Sequence, residues 1–304
     1  MAWSKSSGLE AQSNDYRIES RGTCEDMLNT TIIVSAIFAG VVATAVTIAI
    51  EKWGGVVGGV LGTVPSTILP ASIGMYLVSS ETEFFEAMAI IPFGMMLNAS
   101  FLGVWILIPS YFSEASSLLF KSTVVSLLFW LFSGLLLLFL LDVIQESIDS
   151  QFSLGLLGLF CLLVVVFIFN KTPVPAPAGS NKVSIPMLVS RGCMASVAIG
   201  IAVLLSNMNQ PYLAGLASVF PAIFLTSMVA LWISQGPSVP RGAAGPMMVG
   251  GTSVALFALF AMVTYPKVGV WYGALISWIG AVLLWSLPIF LLLHHRQKRI
   301  VENT

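Results

Sequence analysis

Two short stretches of this 304-residue chain hold the residue types that can bind a solute inside an apolar protein. The first carries Gly59, Gly62, Thr63, Pro65, Ser66 and Thr67, and the second carries Gly215, Ser218, Pro221, Thr226 and Ser227. Proline has no N–H to give and frees a carbonyl one turn earlier, so each stretch predicts a helix interrupted at membrane depth. Backbone carbonyls, half-helix N-termini and neutral hydroxyls would meet there, a set that holds neutral or anionic solutes or a desolvated sodium ion. Asn98 and Thr252 join the candidate lining, because an amide or hydroxyl in mid-run needs a polar partner. The glycines also carry a packing reading: Gly54/Gly58, Gly55/Gly59 and Gly58/Gly62 are G-x-x-x-G pairs that let helices approach closely whether or not a solute passes.

Other chemistries are excluded by residue type and place. Glu51, Lys52, Glu81, Glu83, Glu86, Lys121, Asp142, Glu146 and Asp149 stand at or near the ends of apolar runs, where they reach water, so no file of buried carboxylates is available to relay protons. His294 and His295 follow the last run, which removes any Ser-His-Asp arrangement, and the chain reads as a non-enzyme. Cys24, Cys161 and Cys193 are too scattered for a disulfide framework or a Cys-x-x-Cys site. Met95/Met96 and Met247/Met248 have no Cys or His beside them and read as packing, so neither metal nor cofactor is expected. With 13 Lys+Arg against 14 Asp+Glu there is no basic face for nucleic acid.

What must position the candidate residues is a set of membrane spans. The chain is 57% hydrophobic and 9% charged, against about 25% charged in soluble domains. Its solvent, and its first partner, is the lipid bilayer. A span needs roughly 20 apolar residues, and runs of that order occur at 31–50, 54–79, 86–108, 116–141, 153–170, 187–206, 211–234, 242–264 and 270–293. The sequence therefore predicts an all-α, polytopic membrane protein with about nine transmembrane helices. Residues 1–29 read as a mobile extramembrane tail, 30–141 as a first membrane unit, 142–170 as a connecting span, 171–184 as a Pro-rich linker, 185–294 as a second unit and 295–304 as a basic C-terminal tail. Tyr265, Trp271 and Tyr272 fit an interfacial aromatic belt.

The loops also predict an orientation. One side (the tail and the loops at 80–86, 142–152, 207–210 and 265–269) carries Lys5, Arg17, Arg21 and Lys267 as its basic residues. The other side holds Lys52, Lys121, Lys171, Lys182, Arg191, Arg241, Arg296, Lys298 and Arg299. Basic residues mark the cytoplasmic side, which puts the N-terminus outside and the C-terminus inside.

The second half repeats the landmarks of the first. Residues 58–80 align with 214–236, matching Gly59 to Gly215, Pro65 to Pro221 and Leu69 to Leu225; Pro92 is answered by Pro246, and Trp130 by Trp285. Four spans per unit with one span between them make the two units inverted, the construction of many secondary transporters.

The glycine-proline segment GGVVGGVLGTVPST and its echo YLAGLASVFPAIFLTS resemble the small GlpM-like membrane proteins of prokaryotes, of which this chain would be a duplicated form. Its size and two inverted halves are similar to the drug/metabolite transporter superfamily, although that group's five-span halves would require a tenth span. The sequence reading is a secondary transporter or facilitator of a small neutral or anionic solute. The competing expectation is a non-transporting membrane scaffold or assembly partner, and homo-oligomers are compatible with either.

Overall fold

A computed structural model describes residues 28–45, 48, 64–111, 115–171, 185–292 and 295. Gly59, Gly62 and Thr63, the G-x-x-x-G pairs and all of the proposed linker 171–184 but Lys171 lie outside the described residues. The described chain is helical, without strands. Its helices are α1 (Leu28–Ala45), α2 (Ile68–Val78), α3 (Glu81–Tyr111), α4 (Ala115–Glu146), α5 (Gln151–Asn170), α6 (Ile185–Asn207), α7 (Pro211–Ser218) and α8 (Ala222–Gln235), followed by the run Ser238–Leu292. Among the described residues seven helical stretches are long and apolar enough to cross a membrane, consistent with a multi-pass membrane protein.

The run Ser238–Leu292 is two antiparallel helices, α9 (238–268) and α10 (270–292). Gly269 turns the chain with φ 79 and ψ 166, a left-handed conformation that only glycine adopts without strain. Beyond it Thr264 Oγ1 donates to Gly273 O at 3.1 Å and shares a 2.7 Å hydrogen bond with Ser277 Oγ, and Trp285 Nε1 donates to Val249 O at 2.7 Å. In a straight helix Val249 and Trp285 would stand about 54 Å apart. The sequence expectation of two runs parted at 265–269 agrees with this hairpin.

Helix α3 is the hub. Every residue from Ala87 to Met95 is buried, as expected of a helix apolar on all sides, and α5, α9, α7 and α4 pack around it. Close approach relies on small residues: a Cβ at Gly155 or Gly158 of α5 would crowd Leu259 and Phe93, and one at Gly103 of α3 would meet the Phe169 ring. The start of α3 is fixed by a capping box, Ser80 N and Oγ donating to Glu83 Oε2 at 2.8 and 2.7 Å while Glu83 N donates to Ser80 Oγ at 3.3 Å. The α6–α7 turn closes with Asn209 at φ 56, Gln210 N donating to Leu205 O at 3.0 Å, and Pro211 opening α7.

Contacts sort the loops into two ends of the bundle. Tyr265 is stacked on Phe84 and bonded to Ser72 Oγ at 2.8 Å, Tyr212 OH accepts from Gln145 Nε2 and Gln151 Nε2, and Gly215 meets Ala87. The turns at 79–80, 147–150, 208–210 and 265–269 thus share one end. Asn170, against Gly245 and Met248, marks the other. Helix α1 runs antiparallel to α6, with Ala36 near Gly200 and Thr44 near Gly192, so Leu28 is at the first end and Leu292 at the second. Tyr265 corrects the belt expectation: it is 0% exposed, held inside the bundle by Ser72, whereas Trp271 and Tyr272 are exposed.

Candidate functional site

The predicted interruption of the seventh run is present. Helix α7 stops at Ser218 and α8 starts at Ala222; between them Val219 (φ −112, ψ 20) and Pro221 (φ −73, ψ 35) leave helical geometry. The break folds this way because Pro221 offers no N–H, so the ladder ends in short turns, Val219 N donating to Leu216 O at 3.2 Å and Ala222 N to Phe220 O at 2.7 Å. On the first stretch, residues 64–67 are non-helical and α2 begins at Ile68, with Pro65 buried, Ser66 and Thr67 half-buried, and Ser66 N donating to Val64 O at 2.9 Å. Thr67 stands at the N-cap without a side-chain cap bond.

Asn98 is the partner of the Pro221 break. It is 2% exposed; its Nδ2 donates to Val219 O at 2.8 Å, and its Oδ1 accepts from Trp130 Nε1 at 2.9 Å. The Trp130 ring in turn meets Phe220 edge-on, with centroids 5.4 Å apart. Three helices are thereby tied to a carbonyl that the break left outside the ladder. This is the interhelical bonding expected of a mid-span amide.

Sequence reasoning misses the charged residue of this region. By its place near a run end Arg191 is counted with the basic residues of the cytoplasmic side; in the structure it is buried, at 7% exposure, between α6 and α8. Its Nε donates to Thr226 Oγ1 at 3.3 Å and one terminal N to Ser227 Oγ at 3.0 Å. The two hydroxyls can accept because their own protons are committed to the helix, Thr226 Oγ1 donating to Ala222 O at 2.7 Å and Ser227 Oγ to Ile223 O at 2.6 Å. Two predicted site residues and one unpredicted cation therefore form a cluster one turn past the break. The available signal is Arg191's position inside the apolar run 187–206, where a charge is costly and marks function by default.

Two other described candidates bond within their own helices, Ser218 Oγ donating back to Gly215 O at 2.7 Å and Thr252 Oγ1 back to Met248 O at 3.3 Å. Gly215 faces α3, where a Cβ would run into the Ala87 carbonyl oxygen and Ile90 Cγ2. Met95 and Met248 are core residues, in agreement with the packing reading. Among the described residues no group of three His, Cys, Asp or Glu could hold a metal ion.

A cavity of about 580 Å³ lies beside the break, between α4, α6 and α7. Trp130, Gly134, Cys193, Val197, Leu216 and Phe220 are among its walls, which are apolar and include none of the predicted hydroxyl residues. No family model, characterised protein or solved structure matches this chain.

Proposed function

We propose that the chain is a secondary transporter or facilitator of a small neutral or anionic solute. It has nine transmembrane helices in two inverted four-helix repeats with α5 between them, its N-terminus outside and its C-terminus cytoplasmic. One observation carries the reading. Aligning the two glycine-proline stretches pairs residues 156 positions apart, as for Gly59 and Gly215 (215 − 59 = 156). The same shift pairs Ala36 with Gly192, Gly40 with Ser196 and Thr44 with Gly200. In the α1–α6 crossing Gly40 faces Ser196, its own counterpart, while Gly192 faces Thr44 and Gly200 faces Ala36, two contacts that the shift exchanges. That is the pattern expected of two copies related by an axis in the membrane plane passing near Gly40 and Ser196.

Other features support it. Trp130 and Trp285, matched in sequence, each donate the indole N–H to the preceding helix of their hairpin, at Asn98 and Val249. Those hairpins turn at opposite ends of the bundle. The Pro221 break and its hydroxyl-guanidinium cluster gather polar groups within an apolar run, and irregular backbone in a membrane protein is tolerated where it is buried in protein or lines a cavity.

Liposomes loaded with a mixture of small solutes test the proposal, with release followed by mass spectrometry. Protein-bearing vesicles are expected to release at least one solute faster than empty ones, and Ser227→Val, still monodisperse in detergent, is expected to slow that release about tenfold. Release no faster than from empty vesicles would refute transport of these solutes and favour the scaffold reading.

A further inference from the structure

The apolar cavity beside the Pro221 break is held open at both of its ends. Helix α4 is tied to α7 at two points: Gln145 Nε2 donates to Tyr212 OH at the first end of the bundle, and the Trp130 ring meets Phe220 edge-on farther in. Between these ties α4 stands away from α6 and α7, and the gap is the cavity of about 580 Å³. Leu131, Leu135, Val197 and Ile201 line it and are 46–62% exposed, so it is a groove continuous with the lipid-facing surface.

We propose that this groove binds one acyl chain of a bilayer phospholipid, drawn from the leaflet at the first end. The inference stands apart from the transport reading. Water is a poor occupant because it needs two to four polar partners and the walls are apolar. An empty slot would forfeit dispersion contacts along its whole length. The dimensions select a single chain. From Cys193 to Leu205 α6 rises about 18 Å, a little more than the roughly 15 Å that one leaflet contributes to the hydrocarbon core. Spread over that length, 580 Å³ gives a mean cross-section of about 30 Å², room for one hydrocarbon chain, whereas a helix is about 10–12 Å across. Leu205 and Leu213 stand beside the 208–210 turn and Cys193 and Trp130 lie deeper, so the headgroup is at the first end and the methyl end is near the break. There the chain packs on Trp130 and Phe220, whose contact braces the break. The adjoining turns at 147–150 and 208–210 carry no Lys or Arg, and Glu146 and Asp149 are exposed, charges that favour a zwitterionic phospholipid over an anionic one.

Two native cysteines report occupancy. Protein in a steroid-based detergent, which has no acyl chain, is treated with N-ethylmaleimide with and without added dioleoyl phosphatidylcholine. Modification of Cys193, in the groove wall, is expected to slow about fivefold or more at saturating lipid, while Cys161 on α5 keeps its rate. Native mass spectrometry is expected to show one phosphatidylcholine retained per chain, and Ala198→Phe, whose ring fills the groove at mid-length, is expected to lose it. No slowing at Cys193, equal slowing at both cysteines, or retention unchanged in Ala198→Phe would overturn the inference. A lipid-free species of two chains with Cys193 already unreactive would overturn it too, giving the groove to a second copy. Should Ala198→Phe fail to fold, the comparison of the two native cysteines decides alone.

Discussion

Asn98→Leu is expected to destabilise the folded protein by about 2–4 kcal/mol. The change keeps volume and apolarity close to what the neighbours require but removes a donor and an acceptor together. Val219 O then loses the Nδ2 bond of 2.8 Å, and Trp130 Nε1 loses its 2.9 Å acceptor, inside a bundle where water cannot replace either. Each orphaned group costs about 1–3 kcal/mol, and interhelical bonds in membranes fall toward the lower part of that scale, which sets the range. Trp130→Phe keeps an aromatic ring against Phe220 and should cost about 1–3 kcal/mol, since Asn98 Oδ1 loses its donor and the smaller ring fills less of the site. Equilibrium unfolding in mixed micelles with increasing dodecyl sulfate measures both. Equal, near-zero changes would mean that the Pro221 break holds its shape without this network.

Gly215→Ala should cost about 2–3 kcal/mol, although alanine is the better helix former by about 1 kcal/mol. The added Cβ points at the Ala87 carbonyl oxygen, which is backbone and cannot rotate away, so α7 must move off α3 and take the break with it. Gly134→Ala is the matched control: its Cβ would have Leu97 Cδ1 at 3.6 Å as its nearest neighbour, ordinary contact, and the helix propensity gain should appear undiminished. The two substitutions add the same methyl group and are expected to move stability in opposite directions in the same unfolding assay. Loss at both positions would place the effect in the chemistry of glycine rather than in the α3–α7 contact.

Some of this architecture is legible in the sequence for identifiable reasons. Pro221 marks a break because its missing N–H leaves the ladder open there, although Pro92 and Pro246, in runs of the same kind, stay inside continuous helices, so the proline alone does not tell a break from an unbroken helix. Asn98 announces an interhelical bond because an amide in hydrocarbon must find one, although its partner, a carbonyl 121 positions away, cannot be named from the sequence. Arg191 is legible only as a charge inside an apolar run; which way it turns is not. Six residues into a helix a long basic side chain can snorkel to water or turn inward, and only the positions of Thr226 and Ser227 across the helix interface distinguish the two. Gly215 is ambiguous because close packing and solute lining call for the same missing side chain; the Ala87 carbonyl beneath it gives the packing reason. Tyr265 looks interfacial from its neighbours Trp271 and Tyr272, but the turn at Gly269 puts it on the inner face of the hairpin, within reach of Ser72.

In the proposed transport cycle two inverted halves expose the break to each side of the membrane in turn. The most direct test is access to Ser218, which stands at the end of α7 immediately before the break. With Ser218→Cys as the sole cysteine, a membrane-impermeant maleimide is applied to right-side-out and, separately, to inside-out vesicles. Alternating exposure predicts labelling from both sides, each slowed when the opposite state is trapped by saturating solute. Labelling from one side only, or from neither, would contradict it.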